Sequence, residues 1–266
     1  MANISMQKKQ AGFTLIELVT VIVILGVLSI GLSSFLKFGA QIFIEATDRN
    51  QILSSARFAI ERINRELRGA VPNSARILFN GCLEFTPIAQ SFVYIDIPVT
   101  PEPDANVVKL VPTDTSFTAE EDDNYSVVVY PLNSDDVYQT INSKVFPLKS
   151  GNFNGSGSPH TLTFFNDISF TEDSTTQRLF ISKKAVMYCH ENNNELVRYD
   201  IDGHNSDGSI SGQSTGVLMA EDLITATFKA GTGSRQRNGT IELGFEFSRN
   251  NETIHFNNEV QVPNVP

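Results

Sequence analysis

Apolar and polar positions divide the chain into three stretches. Residues 13–36 read FTLIELVTVIVILGVLSIGLSSFL, 24 mostly apolar positions. As a helix that run is about 36 Å long, against a bilayer hydrocarbon core of about 30 Å. Beyond it the pattern becomes amphipathic. Ile42, Ala46, Arg49, Leu53, Ala56, Ile60, Ile63 and Leu67 are spaced alternately by four and three, and all but Arg49 are apolar. That is one face of a helix, with Asp48, Arg57, Glu61, Arg62, Arg65 and Glu66 on the other. Gly69 and Pro72 supply stop signals. The pattern predicts one helix over about 13–68, weakest at Gly26 and Gly31, where glycine costs about 1 kcal/mol relative to alanine. The stripe has no pure coiled-coil seam, so it is expected to pack on the chain's own sheet.

The remainder reads as strands. Short apolar or alternating runs occupy Ile77–Phe79, Cys82–Pro87, Phe92–Ile97, Val107–Val111, Tyr125–Leu132 and Leu162–Phe165. They continue at Leu179–Ser182, Ala185–His190, Leu196–Ile201 and Leu223–Phe228. The clearest alternation is Ile241, Leu243, Phe245 and Phe247, answered by Ile254, Phe256, Val260 and Val262 across a turn at Asn250–Asn251. This predicts an antiparallel hairpin with one buried face. The stretch 150–159, SGNFNGSGSP, reads as a flexible loop and Glu120–Asp123 as a solvated acidic loop. No repeat is evident, and no linker separates two folding units.

Composition narrows the setting. The chain has 266 residues, enough for a real core, and its formal charge is 20 − 30 = −10. An acidic chain lacks the basic face that phosphate contacts require, which argues against nucleic acid as a partner. Trp is absent, Phe is frequent at 19, and Asn, Ser and Thr abound, a mix that suits a β-rich extracytoplasmic domain. Lys8 and Lys9 precede the apolar run and mostly acidic sequence follows it, which places the N-terminus in the cytoplasm and the bulk outside. A secretory signal peptide has an apolar stretch of about 7–15 residues, and this run is longer.

Glu17 sits five residues into that run. An acidic side chain deep in a membrane helix costs on the order of 2–3 kcal/mol, so it usually has a partner or a function. Gly12-Phe13-Thr14-Leu15-Ile16-Glu17-Leu18, behind a short basic leader, resembles the class III signal of type IV pilins and type II secretion pseudopilins. The resemblance implies cleavage between Gly12 and Phe13 by a prepilin peptidase, which then methylates the amine of Phe13. It also implies that Glu17 pairs with the N-terminal amine of a neighbouring subunit. A carboxylate and an ammonium in lipid each lower the other's desolvation cost, so the pairing is physically sound. Cleavage would leave 266 − 12 = 254 residues with charge −10 − 2 = −12.

The fold implied is α+β and pilin-like, with a long N-terminal helix packed on an antiparallel β-rich domain. Its parts are a cytoplasmic leader at 1–12, a transmembrane half-helix at 13–36, an amphipathic half-helix at 37–69 and a periplasmic or extracellular head at 70–266. The head is large for a pilin, which suggests a minor subunit at or near a fibre tip, involved in initiating assembly. Arg65-Glu66-Leu67-Arg68, Ala70-Val71-Pro72-Asn73-Ser74, Cys82-Leu83-Glu84-Phe85 and the ending Val260–Pro266 resemble the O-type minor pilins of mannose-sensitive haemagglutinin (MSHA) pilus biogenesis. Val186-Met187-Tyr188 with Leu196-Val197-Arg198-Tyr199 is similar to the broader J-type pseudopilin and W-type pilin group. The partners implied are the prepilin peptidase/methyltransferase, other minor pilins, the major pilin and an inner-membrane assembly platform, in a Gram-negative cell. The alternatives are a J-type pseudopilin of a type II secretion system and a membrane-tethered binding or adhesin domain outside any fibre.

Candidate chemistry is sparse. Cys82 and Cys189 are the only cysteines, and export makes a disulfide between them plausible. It would close a loop of just over 100 residues, worth about 4–5 kcal/mol in the chain-entropy model. Two buried free thiols are the alternative. Asp200, Asp202 and Asp207 in DIDGHNSDG offer oxygen ligands of the kind calcium takes, but the glycine is misplaced for an EF-hand and no glutamate closes the loop. His160, His190, His204 and His255 match no metal spacing, and no cofactor is expected. Walker, dinucleotide and nucleophile-elbow motifs are absent, so the reading is of a non-enzymatic assembly subunit. The acceptor-like triplets at Asn124, Asn238 and Asn251 read as chance.

Overall fold

The computed structural model describes residues 12–112, 117–153, 159–210, 214, 216–231, 239–250 and 252–262. The leader before Gly12, the centre of the 150–159 loop, Asn238, Asn251 and the last four residues of the chain lie outside them. The chain is α+β. A helix, α1 (Leu15–Arg68), is followed by an antiparallel β-rich region. The strands are β1 (Arg76–Ile77), β2 (Leu83–Phe85), β3 (Gln90–Asp96), β4 (Ala105–Leu110), β5 (Ser126–Val129), β6 (Val145–Asn152) and β7 (His160–Ile168). They continue with β8 (Arg178–Ser182), β9 (Lys184–Glu191), β10 (Glu195–Asp202), β11 (Gly216–Ala220), β12 (Leu223–Gly231), β13 (Gly239–Arg249) and β14 (Glu252–Val262). A short helix α2 (Asp135–Tyr138) lies between β5 and β6.

Two compact units divide within α1, at Asn50 and Gln51. In the first, α1 buries no residue, and its apolar side chains are exposed on every face. In the second, α1 buries Ile52, Ala56, Ala59, Ile63 and Leu67. The sequence stripe is therefore corrected in two ways. Ile42, Ala46 and Arg49 are exposed, and the buried row runs through Ile52 and Ala59, leaving Leu53 and Ile60 half-buried. Alternating steps of four and three place an ideal seam, but the contact surface is a sheet. A sheet selects the residues with the closest backbone approach, and small Ala56 and Ala59 permit that approach.

Among the described residues, three sheets make up the head. Strands β1-β2-β9-β10-β11 form one, β12-β13-β14 a second, and β3-β4-β7-β6-β5-β8 close into a six-stranded antiparallel barrel. The helix row packs with Leu83, Phe85, Val186, Tyr188 and Leu196 of the first sheet and with Leu243, Phe245 and Phe247 of the second. The barrel has its own core, including Phe92, Val108, Leu110, Val127, Leu162 and Phe164. It occupies residues 90–182, between β2 and β9, which pair directly through Leu83↔Tyr188 and Phe85↔Val186. The barrel is thus inserted into the helix-backed sheet, and its core is separate from the one that α1 covers.

The C-terminal hairpin forms as its alternation predicts, with Phe245↔Phe256 and Phe247↔Ile254 in register. Asn250 takes φ 50°, the left-handed conformation asparagine tolerates in a turn. Ser150–Asn152, read as loop, belong to β6 and pair with Thr161–Thr163 of β7. Strand β11, with no alternation to announce it, pairs with β10.

Candidate functional site

The N-terminal segment is built around Thr14. Its hydroxyl accepts the Glu17 amide at 3.3 Å, and its carbonyl accepts the amides of Glu17 and Leu18 at 3.1 and 3.2 Å. This caps the first turn of α1, where free amides otherwise lack partners. Glu17 falls in that turn, where the helix dipole favours negative charge. Phe13 precedes the cap and is 78% exposed, and Gly12 has nothing within 4 Å of where a Cβ would stand. The bond between Gly12 and Phe13 is therefore uncovered by the described residues. No ion pair engages the Glu17 carboxylate among the described residues. The same is not true of hydroxyls along the run: Thr20 donates to the Glu17 carbonyl at 3.0 Å and Ser29 to the Leu25 carbonyl at 2.6 Å. These local bonds leave the hydroxyls satisfied without water, which an apolar surrounding requires. Helix α1 is long and apolar enough to cross a membrane.

Cys82 and Cys189 are bonded, with Cα atoms 4.5 Å apart. They flank the Leu83↔Tyr188 pair, so the bond joins the two strands that lead into and out of the barrel. A cross-strand pair that exchanges no backbone hydrogen bonds has about this Cα spacing. Both cysteines are buried with Ala185, Met187 and Ile201.

The three candidate calcium carboxylates do not converge. Asp200 is held by Lys184 at 2.7 Å and by Arg198 at 2.7 Å. Asp202 ends β10, and Asp207 accepts the Ser209 amide at 2.9 Å. Among the described residues no group of three or more His, Cys, Asp or Glu side chains is placed to hold a metal. The histidines are also dispersed. His190 contacts the Leu223 carbonyl at 2.9 Å and His204 the Tyr138 carbonyl at 2.8 Å. Burial lowers the pKa of His204, and its bond to the Tyr138 carbonyl opposes the shift without reversing it.

Two polar networks were not legible in the sequence. Glu66, assigned by periodicity to the outer face of α1, is only 14% exposed at its side chain. It accepts from Tyr188 at 2.9 Å, Arg198 at 3.0 Å and Arg62 at 2.5 Å. Arg198 continues to Asp200, so a chain of charges ties α1 to β9 and β10. Burial and the neighbouring Glu66 carboxylate both raise the Tyr188 pKa. The second network centres on Glu84, which is fully buried. It accepts from Arg76 at 2.6 Å and from Asn205 at 2.5 Å, while Arg76 also stacks 3.6 Å above the Tyr138 ring. Burial raises the Glu84 pKa, and Arg76 and Asn205 only partly offset that. Spacing could not reveal either network, because the partners lie on different elements far apart in sequence. Both networks position structure; neither presents a nucleophile, base and substrate cleft together.

No curated protein and no solved structure matches the chain. Residues 7–33, the segment that carries Gly12, Phe13 and Glu17 into the apolar run, match the family model of the prokaryotic N-terminal methylation motif, and that match supports a type IV pilin-like chain.

Proposed function

We propose that the chain is a minor type IV pilin of the MSHA type, a structural subunit that acts in pilus biogenesis at or near the fibre tip. The observation that carries this reading is the methylation motif running directly into an apolar helix that buries nothing until Ile52. A helix apolar all round needs lipid or neighbouring helices to cover it. In this reading the chain enters the inner membrane of a Gram-negative cell once, with its head in the periplasm. The prepilin peptidase cuts between Gly12 and Phe13 and methylates the Phe13 amine. Glu17 then pairs with the amine of a neighbouring subunit, either the major pilin or another minor pilin, as the assembly platform extracts the helix. The barrel adds bulk to the head, which a thin helical fibre accommodates more readily at its end than along its shaft.

Deletion of the chain in its own host tests the assignment. The expected result is loss of surface fibres with unchanged protein secretion, restored by the wild-type chain. Retained fibres with failed secretion would instead place the chain in a secretion pseudopilus. Unchanged fibres and secretion would favour the tethered binding domain.

A further inference from the structure

The outer wall of the barrel is covered on one side and bare on the other. On the covered side, Val128 of β5, Phe180 of β8 and Val145 of β6 point outward and are buried under Val71, Val137 and Tyr138. The cover includes α2, whose Asp136 reaches down to Lys144 of the wall at 3.2 Å. On the bare side, β3, β4 and β7 are neighbours, and their outward positions include Val93, Ile95, Val107 and Phe165, with the exposed Val111 just past the end of β4. The Val111 amide donates to the Val93 carbonyl at 2.8 Å, so those two are adjacent. Val107 opposes Thr163, two residues before Phe165 on the same face. Ile95 and Phe165 are 52% and 46% exposed. A solvated face of an antiparallel sheet is normally polar, and a contiguous apolar patch marks an interaction surface.

Charge indicates what would cover it. Residues 90–182 contain 13 Asp and Glu but only four Lys and Arg. Lys144 is buried against Asp136 and Glu172. The other three lie at the bare wall. Arg178 is paired directly across from Val93, Lys109 lies on β4 two residues after Val107, and Lys149 is exposed on β6 at the irregularity opposite Thr163 and Phe164 of β7. Lys109 meets Asp96, its register partner on β3, at 2.9 Å. Asp96 offsets Lys109 and the exposed Asp167 lies two positions beyond Phe165, so Lys149 and Arg178 leave the face with a small net positive charge on an otherwise acidic barrel. The covered side shows how this protein itself closes such a wall: with a segment carrying apolar side chains and carboxylates together.

We infer that the β3-β4-β7 face docks an acidic, apolar-faced polypeptide segment from another extracytoplasmic protein, as α2 docks on the opposite side. A lipid surface fits less well, because the apolar residues lie on a sheet face and not on protruding loops. The inference stands whether or not the chain enters a fibre.

The test is photo-crosslinking of the full chain in its native host, with p-benzoylphenylalanine in place of Phe165. The expected product joins position 165 to a peptide rich in Asp or Glu and apolar residues. Its yield should fall about tenfold in a Lys149→Glu, Arg178→Glu background, since like charges suppress such docking. Thermal melting of that variant should match the parent, which separates lost docking from misfolding; if it does not, Lys149→Gln with Arg178→Gln replaces it. Crosslinks to lipid, to a basic peptide, or at a yield no greater than from a polar exposed position such as Gln261 would overturn the inference. So would a yield indifferent to charge in the correctly folded variant.

Discussion

Glu66 illustrates how a single carboxylate can join two elements. It leaves the solvent face of α1 because Tyr188 and Arg198 offer it hydrogen bonds inside the head. Arg198 is the cation between Glu66 and Asp200; without it Glu66 keeps Tyr188 and Arg62 and Asp200 keeps Lys184, so each carboxylate loses part of its pairing. Arg198→Met should therefore destabilise the head by about 1–3 kcal/mol, measured by urea unfolding; a loss below about 0.5 kcal/mol would mean that the network holds nothing together. The pH dependence follows from two shifts of opposite sign. Burial pulls the Asp200 pKa up, but the bonds to Arg198 and Lys184 outweigh it and leave the group lowered. Its contribution is present above the ordinary aspartate range and is lost as pH falls through its lowered native range. Glu84 is raised, so its contribution is present below the ordinary glutamate range and fades as pH rises through the raised one. Asp200→Asn should consequently be less stable than the parent near neutrality and converge with it in acid. Urea midpoints taken across a pH series would show this, and parallel curves would contradict it.

At the scale of elements, the disulfide and the helix row set the architecture. The bond between Cys82 and Cys189 clamps the roots of the inserted barrel, a loop with sequence separation 107. Replacing both cysteines with serine should cost about 2–4 kcal/mol, read as a lower melting temperature for the non-reduced protein. An unchanged melting temperature would mean that the β2–β9 pairing needs no clamp. Ala59 is fully buried where α1 meets the sheets, and Ala59→Leu should cost about 1–3 kcal/mol by overpacking. Element by element, sequence signals differ in strength. The hairpin of β13 and β14 was plain because Ile241 to Phe247 alternate without interruption. The helix was plain because Gly69 and Pro72 end a long periodic run. Strand β6 was hidden because Pro147 and Gly151 are turn residues, and β11 because Gly216-Val217-Leu218-Met219-Ala220 does not alternate. The one-residue rotation of the buried row, from Leu53 and Ile60 to Ile52 and Ala59, depends on the facing sheets, which periodicity does not contain.

For the whole molecule, the processing segment was the most legible part and the inserted barrel the least. Gly12, Phe13 and Glu17 carry their meaning in local spacing. The pairing of β2 with β9 spans about a hundred residues and leaves no local trace, so the separation of the barrel core from the core under α1 emerges only from the fold. Function in this account begins at the N-terminus. Glu17→Ala should still be inserted and cut but should fail to enter fibres, which comparison of sheared fibre and membrane fractions would reveal; normal incorporation would remove Glu17 from the assembly contact. The most direct measurement is the N-terminus of the protein purified from its native host, by intact mass and terminal peptide sequencing. The account predicts a chain that starts at N-methylated Phe13. A chain that starts at Met1, or after a conventional cleavage beyond residue 28, would contradict it.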